Sequence, residues 1–253
     1  MASTQGQIRF LRRLDKWATE KPFFRRSRAD RRFQIHECGF QVVFHPPALN
    51  DFGTLDHVAA YQRDVQSVLT KLFEAEHVLV WDFRRRKPYR TKTVFNMNDK
   101  LEMDTTVKDY TFISGPIVIK NQLIANGLEH YLRPGYRFRM VNFWRSILPI
   151  VEDQPLALCD FRSVEPPDVV ACDRIRPDRT GEAFYLHHNK NQRWYYLSSM
   201  TSDEAWAFVT YDSAAGEQAR CNCPHSSFVP INSNAIHPTR YSVETRSIII
   251  TKV

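Results

Sequence analysis

Glycine is scarce, at 8 of 253 residues, and the motifs that depend on it are missing. There is no G-x-x-x-x-G-K-[ST], no G-x-G-x-x-G and no G-x-S-x-G, which argues against phosphate-cradling loops and against the nucleophile turn of α/β-hydrolases. Long apolar runs are missing too. The longest candidates, Ile147 to Val151 and Ile248 to Ile250, fall far short of the ~18 residues a membrane span needs. Met1 to Ile8 is polar and leads into Arg12, Arg13 and Lys16 without an apolar stretch for secretion, so a soluble, cytoplasmic protein is expected. The 5 cysteines, Cys38, Cys159, Cys172, Cys221 and Cys223, are an odd number and read as reduced thiols in that compartment.

What is present supports a sizeable core. Hydrophobic residues make up 43% of the chain and aromatics 13%, with 17 Phe, 10 Tyr and 5 Trp, while charged residues at 25% match an ordinary globular protein. Disorder, collagen and coiled coil are excluded. Lys and Arg exceed Asp and Glu by 35 to 28, for a net charge of +7. The excess is local, in Arg12, Arg13, Arg25, Arg26, Arg28, Arg31 and Arg32, and again from Arg84 to Lys87. Such runs bind phosphates in some proteins, but no common nucleic-acid motif accompanies them. They read as a solvated basic surface, and Phe23, Phe24 and Phe33 beside the first run suit core or interface packing.

The chain divides by texture rather than by linkers. After a basic arm to about residue 33, Gln34 to Phe44 alternates enough for a strand or two. Asp51 to Phe73 is the clearest helix, with Asp56 as its cap and Val58, Tyr61, Val65, Leu69, Leu72 and Phe73 recurring at helical spacing. His77 to Phe83 is β-rich, and a second helix is predicted over Lys120 to Tyr131, ending before Pro134-Gly135. Beyond it lie short β-rich runs: Tyr136 to Trp144, Leu156 to Cys159, Val169 to Asp173, Ala183 to His188, Arg193 to Leu197, Ala205 to Tyr211 and Ser242 to Lys252. Strands separated by Asp, Pro, Gly and Asn turns indicate a sandwich or barrel. The prediction is one mainly β domain over residues 1–253, a double-sheet jelly roll with flanking helices.

Three constellations carry possible chemistry. His187 and His188 are adjacent, so on a strand they face opposite sides and cannot share one ligand set. Cys221-x-Cys223-x-His225 places three zinc-type donors on one face of a strand, but no second such pair supplies a fourth ligand and Pro224 interrupts the pairing. The third set is distributed: Asp109, then His225, then Arg240-x-Ser242. Non-haem iron oxygenases hold Fe(II) with two His and one carboxylate. Their first pair is His-x-Asp on one strand face, and an Arg-x-Ser on a neighbouring strand binds the distal carboxylate of 2-oxoglutarate. Here the position two before Asp109 is Val107.

From about His77 onward the chain resembles the fungal Fe(II)/2-oxoglutarate oxygenases of the gibberellin desaturase-like and meroterpenoid-modifying kind. The resemblance rests on Val80-Trp81-Asp82, Val141-Asn142-Phe143-Trp144-Arg145, Asp153 with Pro155-Leu156-Ala157-Leu158-Cys159-Asp160, Gly181-Glu182, Arg193-Trp194-Tyr195-Tyr196, Tyr211-Asp212-Ser213, Pro224-His225-x-x-Phe228 and Arg240-x-Ser242-x-Glu244-x-Arg246, in family order. It implies a double-stranded β-helix, cupin-like. It also implies that the first iron-binding His falls on Val107, while Gln192 and Val209 replace a usual His and a usual Lys. Valine has no lone pair for a metal, and Lys108 faces the other side of its strand and is protonated near neutral pH.

The resemblance therefore implies remnant positions Val107, Asp109 and His225 with no iron bound, a remnant 2-oxoglutarate site at Arg240 and Ser242, and no catalytic residue. Asp109, His225, Arg240 and Ser242 are expected to persist as a satisfied polar cluster inside the barrel. The chain is similar to the iron-less member of the heterodimeric oxygenase of talaromyolide-type meroterpenoids. That implies a partner, a catalytically intact paralogue that holds Fe(II) and 2-oxoglutarate and oxidises a terpenoid-type substrate. Phe23, Phe24 and Phe33 are the expected interface, since aromatics and Arg are enriched at such surfaces. The alternative is an active hydroxylase or desaturase of a lipophilic polycyclic substrate using a replacement ligand, and a third reading is a basic nucleic-acid module.

Overall fold

The computed structural model describes residues 4–7, 23–26, 33–47, 51–86, 107–108, 110–151, 153–176, 179–215, 222–230 and 240–253. In chain order the strands and helices are β1 (Thr4–Gln7), β2 (Phe23–Arg26), α1 (Ile35–Cys38), β3 (Phe40–Phe44), α2 (Leu55–Phe73), β4 (His77–Arg86), β5 (Val107–Lys108) and α3 (Ser114–Ala125). Then come β6 (Tyr136–Ser146), β7 (Leu156–Cys159), β8 (Val169–Arg176), β9 (Arg179–Leu186), β10 (Trp194–Tyr196), β11 (Glu204–Asp212), β12 (His225–Ser227), β13 (Val229–Pro230) and β14 (Ser242–Lys252). None of the described helices is long and apolar enough to cross a membrane.

The alternating segments become strands as expected, and they assemble into two sheets. One runs β3-β11-β6-β14-β4, the other β13-β1-β2-β10-β7-β12-β5-β9-β8. Neighbours are antiparallel except β2 and β10, which run parallel. Side chains that alternate along each strand separate an outer face from an inner one. On the smaller sheet, Val141, Phe143, Ala205, Ala207, Val209, Val243 and Ile249 turn outward against Tyr61, Val65 and Leu69 of α2. Inward, Phe40, Trp144, Trp206 and Phe208 meet Leu156, Leu158 and Cys223 of the facing sheet. The result is the predicted mainly β, double-stranded β-helix with flanking helices.

The helices depart in detail from the sequence expectation. α2 begins at Leu55, and its cap is Thr54, whose hydroxyl accepts from the His57 N–H at 3.2 Å. Asp56 instead lies in the first turn, where its carboxylate suits the helix dipole. The second helix runs Ser114–Ala125, earlier than predicted, and a separate 3-10 turn covers Glu129–Tyr131. Gly115 and Pro116 lie in its first turn, where a proline removes no helical hydrogen bond. Gly127, at φ 68°, separates the helix from the 3-10 turn. Within Gln34 to Phe44 the chain forms the short α1 before β3, divided by Gly39 at φ 91°.

Gly115 marks the closest approach of α3 to the sheet. A Cβ built there lies 2.4 Å from the ring of buried Tyr211. We predict that Gly115→Ala destabilises the fold by about 1–3 kcal/mol, as overpacking of a tight core does, measured as a lowered denaturation midpoint. An unchanged midpoint means the Tyr211 ring yields freely.

Candidate functional site

The inner face of β14 is built by period-two alternation. Ser242, Glu244 and Arg246 point inward at one end and Ile248 and Ile250 at the other, where α3 packs Ile119 and Leu123 against them. β14 is paired on both sides, so this face is continued by its neighbours. Across to β4, Ser242 lies opposite Arg86, Glu244 opposite Arg84 and Arg246 opposite Asp82. Across to β6, Ser242 lies opposite Ser146 and Glu244 opposite Trp144.

An ion-pair ladder joins these residues. Arg84 Nε contacts Asp82 Oδ2 at 2.8 Å, and the Arg246 guanidinium lies 3.8 Å from Asp82 and 3.6 Å from Glu244. Arg86 Nη2 donates to Glu244 Oε1 at 2.9 Å, and that carboxylate is only 3% exposed. The second basic cluster is thus more than a solvated surface: Arg84 and Arg85 are exposed, but Arg86 reaches inward. Sequence reading missed Arg86 because a run of arginines carries no sign of which one faces in; the strand alternation from Asp82 was the usable signal.

Arg240 and Ser242 close this end of the sandwich. Arg240 Nη1 donates to the Gln154 carbonyl at 3.0 Å. Burial, and next the nearby Arg86 cation, pulls Arg240 down to about 10, against the opposing pull of Asp153 and Glu244; it stays charged at neutral pH. Its Nε is buried without a partner among the described residues, and so is the hydroxyl of Ser242, which is 0% exposed. A buried polar group left this way costs about 1–3 kcal/mol, and more if charged.

The metal positions lie on the facing sheet. Val107 of β5 is the register partner of His225 of β12, and His225 is also paired with Leu158 of β7. Directly opposite residues of an antiparallel pair share a face, so positions 107 and 225 are side by side. The His225 ring sits 4.8 Å from Phe208 across the interior, with Nδ1 3.2 Å from the Cys223 carbonyl oxygen. Asp109 lies outside the described residues. Iron held by two His and a carboxylate does not fit this set, because a valine side chain offers no donor. The carboxylate end does fit, since its orphaned guanidinium and hydroxyl atoms are the groups a carboxylate would satisfy.

Other predicted positions serve the framework. Cys221 lies outside the described residues, while Cys223 is buried and its thiol contacts the Cys159 carbonyl. Among the described residues no group of three or more His, Cys, Asp or Glu is placed to hold a metal, and Cys38, Cys159, Cys172 and Cys223 are free thiols. Gln192 ties a turn together, donating to the His187 carbonyl at 2.7 Å and to buried Asp168 at 3.2 Å. Val209 packs in the core beneath α2. Phe33 stacks on Tyr195 and Phe40, at 4.6 and 5.3 Å, so its ring is engaged inside the fold. Phe23 and Phe24 are placed by register alone, in β2 beside β1 and β10.

Comparison with known proteins agrees with this architecture. A family described as "Oxidoreductase/YMDC permease-like domain" matches residues 24–250. The Fe(II)/2-oxoglutarate-dependent dioxygenase nvfI of Aspergillus novofumigatus is 28% identical over 245 residues, covering 92% of this chain and 84% of its own. The hydroxylase/desaturase asaB of Aspergillus flavus is 27% identical over 208 residues, covering 77% and 86%. A solved structure of the iron and alpha-ketoglutarate-dependent endoperoxidase NvfI superimposes with a TM-score of 0.78 at 25% identity, over 92% of this chain and 84% of that one. Another reaches 0.76 at 23% identity over 100% and 98%.

The register supplies a direct test. Val107→His places a second imidazole beside His225, and it is expected to raise Fe(II) binding above that of the unmodified chain in equilibrium dialysis. Equal binding by the two proteins would show that position 107 is not the place of the first ligand.

Proposed function

The chain belongs to this oxidoreductase family, whose homologues here are fungal Fe(II)/2-oxoglutarate dioxygenases and hydroxylase/desaturases, and from that premise we propose that it is a non-catalytic subunit of a heterodimeric dioxygenase. Its partner is a catalytically intact paralogue that supplies iron and 2-oxoglutarate and oxidises a fungal meroterpenoid. This chain stabilises that partner and shapes its substrate pocket. The observation that carries the reading is Val107 directly opposite His225. A chain with the family fold but a hydrocarbon in the first ligand position keeps its scaffold and its surface.

Two surfaces support pairing. The N-terminal arginine-rich segment places Phe23 and Phe24 in β2, and Phe33, the third residue of the expected interface, is partly buried against Phe40 and Tyr195. On α3, Ile117 and Ile124 are 55% and 51% exposed, and Ile113 just before it is 66% exposed. A helix apolar on both faces is built to be covered, and a stable pair buries roughly 2,000 Å² or more in total.

The test is to mix the chain with a paralogue from the same genome that retains the full His-x-Asp and His set. Co-elution at micromolar concentration, with turnover several-fold higher than the paralogue gives alone, is the expected outcome. Separate elution and unchanged turnover contradict the proposal. Ile117→Glu should weaken the pair while leaving this chain folded, because that side chain is exposed.

A further inference from the structure

α3 is apolar on two opposite faces, and residue spacing sets them apart. Gly115, Ile119 and Leu123 are its buried residues, at intervals of four, and the last two pack on Met140, Ile248 and Ile250 of the smaller sheet. Ile113, Ile117, Lys120 and Ile124 recur at intervals of four, three and four. At ~3.6 residues per turn this spacing keeps the four side chains within about 60° of one another, on the side away from the sheet. All four residues are exposed. They form a stripe about 16 Å long, on a helix whose other side is fixed by the close approach of Gly115 to Tyr211. Apolar residues at alternating intervals of four and three make the seam by which one helix packs along another.

Lys120 decides which helix fits. It is the sole charged residue of α3, which holds no Asp or Glu from Ser114 to Ala125, and no ion pair among the described residues engages it. A second copy of this chain, docked through the same stripe in either direction, would bring two lysines into one seam with no carboxylate from either helix. A lone lysine in an apolar seam selects the partner at a cost in stability. We infer that the outer stripe of α3 is a helix-docking seam in which Lys120 opposes self-pairing and selects an unlike partner. That partner presents a helix with apolar residues at the same spacing and a carboxylate facing the Lys120 ammonium. The inference rests on the subunit reading for the partner's identity, the paralogue, and adds the residue that makes the pair unlike. Four side chains cover far less than the roughly 2,000 Å² of a stable pair, so the seam sets specificity within a wider interface.

The experiment is sedimentation of the full chain, alone and mixed with the paralogue that retains the complete ligand set. Lys120→Ile should self-associate at concentrations where the parent does not, because its seam becomes apolar throughout. Lys120→Glu and Lys120→Ile should each bind the paralogue at least about tenfold more weakly, since one opposes the partner's carboxylate and the other strands it. Lys120→Arg keeps the charge and should bind within a few-fold of the parent. Thermal unfolding of each unpaired chain reports its folding. A parent that self-associates and becomes monomeric on Ile117→Glu overturns the inference in favour of a second copy. A lowered midpoint of the unpaired Ile117→Glu chain also overturns it, because the chain's own residues then cover the stripe. So does a Lys120→Ile chain that stays monomeric and binds the paralogue like the parent, a result that leaves the subunit reading standing. Self-association of Lys120→Ile without any paralogue binding by the parent supports the seam and contradicts the subunit reading.

Discussion

A strand hydrogen-bonded on both edges cannot slip by one residue without turning every side chain to the opposite face, and β14 lies under that constraint. Its eleven residues pair with β6 along their whole length and with β4 along most of it. Outward, Val243 and Ile249 complete the surface that α2 covers. Inward, the same register delivers Ser242, Glu244 and Arg246 to the interior and Ile248 and Ile250 to the apolar end beneath α3. Because β4 is locked to β14, the ladder of Asp82, Arg84 and Arg86 is placed by the same constraint. Glu244 is the deeply buried carboxylate of this ladder, and burying a charge costs desolvation that offsets much of the attraction to its partner. These charges stand at one end of a sandwich otherwise lined by Trp144, Trp206 and Phe208.

Much of this was legible in the sequence, and for a physical reason. The alternation of Arg240-x-Ser242-x-Glu244-x-Arg246 is the strand period itself, so shared facing followed from spacing. Tyr61, Val65 and Leu69 recur at four residues, and they are the buried face of α2. The pairing of Val107 with His225 was not legible, because it joins strands more than a hundred residues apart in sequence and no local pattern records register. Phe33, beside the arginine run, suited core or interface packing by sequence; its partly buried ring packs on Phe40 and Tyr195. Neighbours in sequence alternate in facing and do not share an environment. α3 starts earlier than its sequence pattern indicated, with Gly115 and Pro116 in its first turn, where they do not break a helix as they would inside one.

The two sheets differ in chemistry at the proposed site. On the larger sheet valine at 107, opposite His225, offers a metal no donor. On the smaller sheet the charged residues are linked: Glu244 contacts both Arg86 and Arg246, and Asp82 contacts both Arg84 and Arg246. Glu244 is the deeply buried member, and removing one partner of a buried charge is strongly destabilising. Folding stability therefore gives such a network its own reason to persist, apart from any ligand.

Everything in this account turns on whether the unmodified chain holds iron. Anaerobic reconstitution of the full-length protein with Fe(II), followed by desalting and elemental analysis, answers it directly. The account predicts iron at well under one-tenth equivalent, with or without 2-oxoglutarate. One equivalent retained with micromolar affinity would mean that Asp109, His225 and a further donor complete a working centre despite Val107, and would contradict it.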